Sequence, residues 1–331
     1  MIKIGLLGLG AMGTTHANAY EALKGKIDFK ITAITDEDKA KTAKFAALTG
    51  AVIYDSADEL FEKANVNTVD ICLPTFLHFE YAYKAVQKGL NVFIEKPLCS
   101  TSADAYKLAE AAEKQNIFTQ VGHCIRFWDE YEYLRKVYKS REFGSLLHAK
   151  FRRLSPRPEW AWNNWYMQTN LSGGALFELH IHDADYMLSL FGEPKKIHAF
   201  ANDAKEKLSS VIINCEYDTF TVMLEGSWNY SLSFPFEMSF IASFEKATIT
   251  YSSIHGIKVY PEKGDNYVPV IEKFCTVTSD KVANISSLGA YYNQLHYFLQ
   301  CISTGKKPEK ATFLDGAKTV EFIEKEKASL G

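Results

Sequence analysis

Two hydrophobic periodicities divide the chain. Over residues 1–122, short apolar runs alternate with stretches of helical spacing: "IKIGLL" then "MGTTHANAYEALK", "FKITAIT" then "EDKAKTAKFAAL", "TVDICLP" then "FEYAYKAVQKG", "NVFIEKP" then "SADAYKLAEAAEKQ", and last "IFTQVG". Strands alternating with helices of this length predict βαβ units. They imply an N-terminal doubly wound parallel sheet, covered on both faces and joined by right-handed crossovers. Beyond Gly122 the texture changes. A helical "EYEYLRKVYKS" precedes a strand-like "LLHAKFRRL", the Trp-rich "PEWAWNNWYMQTN" and a helix-like "SGGALFELHIHDADYMLSLFG". From Lys195 to about Tyr260 close-set strands follow: "KKIHAFA", "SSVIINCEY", "TFTVMLEGSWNY", "FEMSFIAS", "KATITYS" and "GIKVYP". Joined by short polar turns, they predict a C-terminal α/β domain with a large, mostly antiparallel open sheet. Helices over about 287–303 and 314–328 close the chain. No repeat, low-complexity tract or Gly/Ser linker intervenes, so two domains are expected, 1–122 and 123–331, joined at a tight hinge.

Composition narrows the function classes. The 331 residues are 47% hydrophobic and 23% charged, with a formal charge of −3. That balance gives no reason to expect nucleic acid or an anionic membrane as partner. The apolar start "MIKIGLLGLGAMG" is too short and too glycine-rich to span a bilayer, and lacks the layout of a signal peptide. The six Cys are widely spaced without a CxxC pair. Reduced thiols in a cytoplasmic protein are therefore expected.

The first candidate chemistry is Gly8-Leu9-Gly10-Ala11-Met12-Gly13, a GxGxxG that follows an apolar strand and opens a helix. In that context Gly8 permits a tight turn, Gly10 lets a diphosphate approach the backbone, and Gly13 lets helix and strand pack closely. The helix N-terminus offers N–H groups to phosphate. Asp36 ends the second strand, 23 residues after Gly13. An acid there bonds ribose hydroxyls and repels a 2′-phosphate, which favours NAD over NADP. The next strand ends in Leu73-Pro74-Thr75, with His78 at the following helix start. Strand ends at this edge line the ligand crevice. His78 is either a cofactor contact or a local helix-start residue. Glu95-Lys96 ends a further strand. Lys96 there is a candidate for stabilising an alkoxide, the alternative being a surface pair at a turn.

The stretch 178–185 holds Glu178, His180, His182, Asp183 and Asp185 inside an otherwise buried run. Burying such groups without partners is costly. On a helix Glu178, His182 and Asp185 share one stripe. A metal site built on His180 and His182 is disfavoured, because HxH on a helix sets the two rings about 200° apart. A structural His is the plain alternative. The chemical reading makes His182 a general acid/base, since its ordinary pKa near 6.5 suits proton transfer at neutral pH. Glu178 then supports it or holds substrate hydroxyls. Ahead of this stretch, "RPEWAWNNWYMQTN" combines aromatic faces with amide donors, a surface suited to a sugar or cyclitol ring. Trp165 and Asn170 are candidate substrate contacts there, with Arg126 near the domain seam. A core or interface role for the aromatics is the alternative.

Together the N-terminal GxGxxG, the acid after the second strand, "EKP" and "GGALFELHIHDAD" resemble the Gfo/Idh/MocA oxidoreductases, along nearly the whole chain. The resemblance implies a Rossmann domain binding NAD, and an α/β domain whose open sheet forms oligomer interfaces. A homodimer or homotetramer is therefore expected, with 219–228 and 237–251 as candidate buried strands. The family's catalytic Lys matches Lys96 and its catalytic His matches His182. The family's Asp four residues earlier is Glu178 here, and its Gly two residues before the His is His180. The implied activity is hydride transfer between nicotinamide and a secondary alcohol of a sugar or cyclitol. Two alternatives remain open: an NAD-using glycosidase working by transient oxidation and elimination, and a non-catalytic NAD-binding regulator.

Overall fold

The computed structural model describes residues 1–159, 162–201, 208–273, 275 and 288–330. Two compact units result, Met1–Cys124 with Phe274–Val320, and Ile125–Lys273 with Glu321–Gly331.

The first unit is built from β1 (Ile2–Leu7), α1 (Ala11–Leu23), β2 (Phe29–Thr35), α2 (Lys39–Thr49), β3 (Val52–Ile53), α3 (Ala57–Lys63), β4 (Thr68–Ile71), α4 (His78–Gln87), β5 (Asn91–Ile94), α5 (Ser102–Lys114) and β6 (Thr119–Val121). Its six strands are all parallel in the order β3-β2-β1-β4-β5-β6. The order reverses between β1 and β4, and the crevice outside the carboxyl ends of those strands is where such sheets bind ligands. The central strands read as continuous apolar runs because both faces are covered. Ile4, Leu6, Leu7, Val69, Ile71, Val92 and Ile94 are completely buried. Side chains start several of the helices: Asp38 accepts from the N–H groups of Ala40 and Lys41, and Ser56 from that of Glu59. Such caps are each worth about 1 kcal/mol.

The second unit contains α6 (Asp129–Ser140), β7 (Leu146–Pro156), α7 (Thr169–Ser172), α8 (Ile181–Phe191), β8 (Lys196–Ala201), β9 (Ser210–Glu216), β10 (Thr221–Tyr230), β11 (Glu237–Phe244), β12 (Ala247–Ser252) and β13 (Gly256–Pro261). Its seven strands run β13-β12-β11-β7-β10-β9-β8. All neighbours are antiparallel except β7 and β10. One face carries Phe151, Leu224, Phe240, Ile249 and Val259, all buried. Tyr131 of α6 and Tyr186 of α8 meet edge to face there at 4.9 Å, with Phe240 5.1 Å from Tyr131. The other face carries half-buried Lys150, Arg152, Met223 and Glu225 and exposed Ile241. Arg152 reaches Glu225 at 3.4 Å and Glu237 at 3.8 Å on that face.

Two helices end the chain, α9 (Gly289–Thr304) and α10 (Phe313–Ala328). Reading along the sequence places all of 123–331 in the second domain, but α9 belongs to the first unit. Its Leu295, Phe298 and Leu299 are fully buried in one apolar cluster with Ile4, Leu6, Tyr20 and Leu23. The chain passes back to the second unit within α10, after Val320.

The stretch expected as one helix from about 173 is not uniform. Gly173 (φ +73°) terminates α7, and Gly174 (φ +73°) follows in the same left-handed region. Leu176–His180 then form a π-helical turn, and α8 proper starts at Ile181. The wider turn shifts the face on which each later side chain emerges.

Candidate active site

The outer two glycines of the loop have a steric reason, and the middle one leaves open space. Gly8 has φ +89°, and a Cβ there would lie 2.6 Å from the carbonyl oxygen of Cys72. A Cβ on Gly13 would sit 2.0 Å from the carbonyl oxygen of Gly8. Gly10 has nothing within 4 Å of a Cβ position. No side chain caps the N-terminus of α1. The open Gly10 and the uncapped N–H groups of a 13-residue helix suit a diphosphate. Asp36 lies beside them: Oδ2 accepts from Leu9 N at 2.6 Å and Oδ1 from Asp38 N at 2.7 Å. The donor set therefore fits a dinucleotide with free ribose hydroxyls. Gly13→Ala is expected to cost ~1–3 kcal/mol through overpacking against backbone and to weaken NAD binding. Thermal unfolding and a fluorescence titration with NAD would check this; unchanged values of both would refute it.

Behind the loop lies a buried polar cluster that pattern reading missed. His16 and Tyr20 come from α1, Asp70 from β4, and Glu95 from just past β5. His16 Nδ1 lies 2.9 Å from Asp70 Oδ2, and His16 Nε2 lies 3.0 Å from Glu95 Oε1. Tyr20 donates to Asp70 at 2.9 Å, and Cys72 Sγ is 3.2 Å from His16 Nδ1. The backbone N–H of Lys96 donates to Glu95 Oε2 at 3.2 Å. A Cβ on Gly122 would meet Glu95 Oε1 at 2.6 Å, so glycine is needed beside that carboxylate. Glu95 thus has buried partners inside the unit. The available signal was an Asp inside the apolar run "TVDIC": a carboxylate in the middle of a buried parallel strand needs a partner.

Burial by itself would lower the pKa of His16, but the adjacent Asp70 carboxylate, and then Cys72, outweigh it and hold the imidazole well above its ordinary value. Burial also pushes the Cys72 thiol up. A raised histidine contributes stability that is complete below the unfolded value near 6.5 and is lost as pH rises through the folded value. The urea midpoint is therefore expected to fall as pH rises above neutrality, and this slope is expected to flatten in His16→Gln. An identical slope in both proteins would count against a cationic His16.

Lys96 follows β5, half-buried, at the carboxyl edge of the sheet. Leu73, Pro74 and Thr75 follow β4 at the same edge, with Thr75 buried. His78 is completely buried, with Nδ1 2.6 Å from the carbonyl oxygen of Pro97 and Nε2 2.8 Å from that of Leu73. Its ring ties the loop after β4 to the loop after β5.

In the second unit the five polar groups of 178–185 separate. Asp185 accepts two bonds from Arg126, Nε at 2.8 Å and Nη2 at 2.7 Å, with both partners buried. Asp185, which shares a stripe with His182 in the sequence, and Arg126, a candidate substrate contact, are thus paired with each other. Asp183 is held by Arg153, with 3.0 Å from Nε and 3.3 Å from Nη2. His180 Nε2 donates to Glu326 Oε2 of α10 at 2.9 Å, both completely buried. Glu178 is 6% exposed in the π-turn, and His182 is half-buried in the first turn of α8. Trp165 is buried, its ring centroid 4.3 Å from that of Tyr166, which lies 6.3 Å from Trp228. Asn163 and Asn164 both take left-handed backbone, and Asn170 is exposed on α7. Trp160 lies outside the described residues. No helix among the described residues is long and apolar enough to cross a membrane.

Comparisons with known proteins agree with this architecture. The sequence model of the GFO/IDH/MocA oxidoreductase family, NAD-binding Rossmann fold, matches residues 2–123, and that of the GFO/IDH/MocA C-terminal domain matches residues 131–250. The chain is 26% identical over 322 residues to the myo-inositol 2-dehydrogenase of Thermotoga maritima, covering 97% of this chain and 89% of that one. It is 27% identical over 193 residues to the 2,7-anhydro-N-acetylneuraminate hydratase of Escherichia coli, covering 58% and 50%. Two other curated relatives are matched over only 51% and 57% of their length. A solved levoglucosan dehydrogenase, in complex with NADH and levoglucosan, superposes with a TM-score of 0.82 at 18% identity, covering 99% and 97%. With both domains matched in order, the chain belongs to the Gfo/Idh/MocA oxidoreductase family.

Proposed function

We propose that this protein is an NAD-dependent dehydrogenase of a secondary alcohol on a sugar or cyclitol, with Lys96 and His182 as its catalytic pair and Glu178 in the substrate site. One observation carries the reading. The chain belongs to a family of NAD-binding oxidoreductases, and Glu178 in the π-helical turn and His182 in the first turn of α8 stand four residues apart at the positions that match the family's acid and catalytic histidine. Gly10, the start of α1 and Asp36 would hold the dinucleotide, which when bound supplies the hydride acceptor. Lys96 steadies the substrate oxygen by its positive charge as that oxygen becomes alkoxide-like. His182 takes the hydroxyl proton on an imidazole nitrogen and returns it in ketone reduction. Glu178 accepts from neighbouring substrate hydroxyls. The aromatic group of Trp165, Tyr166 and Trp228 supports a ring-shaped substrate. Assembly through the second-unit sheet, into a dimer or tetramer, belongs to the same proposal.

The relative named as a hydratase favours one further reading, in which the same residues serve a transient oxidation followed by elimination. The experiment that separates the two is NADH absorbance against a panel of inositols, sugars and their glycosides. Net NADH with one polyol supports the dehydrogenase. A consumed glycoside or anhydrosugar without net NADH supports the elimination chemistry. Neither result, with NAD bound, would overturn both and leave a cofactor-binding regulator.

A further inference from the structure

We propose that His180 and Glu326 form a positioning pair, which holds the π-helical turn in the register that orients Glu178 and His182. This rests on the reading of those two residues as the chemical groups.

His180 is the last residue of the π-turn Leu176–His180, two residues after Glu178 and two before His182. Its imidazole occupies a tight place. The room comes from β10: a Cβ on Gly226 would lie 2.7 Å from His180 Cβ and 3.1 Å from its Cα. The ring is then fixed from the far side by Glu326 Oε2 at 2.9 Å. Glu326 comes from α10, a helix distant in sequence, and both side chains are fully buried. A backbone glycine thus supports one side of the turn and a carboxylate anchors the other.

The pair is poorly optimised for stability. Among the described residues, neither His180 Nδ1 nor Glu326 Oε1 has a further hydrogen-bond partner. A buried, half-satisfied polar pair costs desolvation that an apolar pair of similar volume would not. A pair serving stability alone would therefore be improved by leucines. A pair serving geometry would not, because a π-turn survives only where packing holds it, and such turns concentrate at functional sites. The bond to Glu326 supplies a directional constraint at the point where the π-turn changes to α8.

The test measures kcat, KM and Tm together in three variants of the full chain with NAD. His180→Leu/Glu326→Leu removes the bond while filling the space. Its Tm is expected to equal or exceed that of the parent, while kcat falls on the order of 10- to 100-fold, the scale of a roughly 1 Å misplacement, with KM for NAD unchanged. Glu326→Gln keeps an acceptor for His180 and is expected to retain near-parental kcat. His182→Ala is the control for the underlying reading. Parental kcat in the double leucine variant, with His182→Ala inactive, overturns the positioning role alone. Parental kcat in His182→Ala overturns the reading beneath it as well. If the double leucine variant does not fold, Glu326→Ala and Glu326→Gln decide together: a loss of kcat in the alanine variant that the glutamine variant does not show supports positioning through the bond, and parental kcat in both overturns it.

Discussion

Replacing His182 with alanine is expected to lower kcat by ~10²–10⁴, the usual contribution of a positioned acid/base, while NAD still binds. The expectation follows from how the surrounding groups are used. His182 sits half-buried in the first turn of α8, and the acids flanking it in sequence, Asp183 and Asp185, already hold buried arginines. The mutation removes an imidazole without uncovering an unpaired charge at either of those pairs, so folding should be little disturbed. The cofactor residues Gly8–Gly13 and Asp36 belong to the other unit. Binding of NAD, read by fluorescence, is therefore expected to keep its parental value, and the loss should fall on kcat rather than on KM for NAD. Steady-state kinetics on the polyol identified by the panel would check this. A kcat within about threefold of the parent would remove His182 from the proton-transfer role, and a collapse of NAD binding would show that the variant reports folding instead.

How far the sequence anticipated this site depends on the range of the interactions involved. The parallel sheet was legible because "IKIGLL" and "NVFI" are buried on both faces and so carry continuous apolar runs. The glycine loop was legible because Gly8 and Gly13 answer local steric demands, while Gly10 leaves open space at the start of α1. The helix at 289–304 was legible as a helix, but its docking was not: the apolar stripe of Leu295, Phe298 and Leu299 says that something covers it, not that α1 and β1 do. The partners of His180, Asp183 and Asp185 were hidden for the same reason. Glu326 lies 146 residues from His180, Arg153 30 residues from Asp183, and Arg126 59 residues from Asp185. No periodicity records pairings of that separation. The packing of His180 in the π-turn against Gly226 of β10 was hidden likewise, because it joins residues distant in sequence.

Arg126→Ala is expected to destabilise the second unit strongly, by about 3–5 kcal/mol. Asp185 is completely buried and accepts bonds at 2.8 and 2.7 Å from this guanidinium. Removing the arginine leaves a buried carboxylate without this cation, and the charge left less compensated, more than the lost attraction, sets the cost. For a unit of this size the change corresponds to a fall in Tm of about 10 °C. Arg126→Met paired with Asp185→Leu is expected to recover much of the loss, since apolar groups of similar volume carry no desolvation penalty. The comparison also separates the two roles open to Arg126. A residue that serves the fold loses Tm on mutation and regains it in the paired variant, with KM for the polyol unchanged wherever the protein is folded. A residue that binds substrate keeps its Tm and raises KM. The bidentate geometry to Asp185 predicts the first result, and thermal unfolding alongside steady-state kinetics on the same preparations would distinguish them.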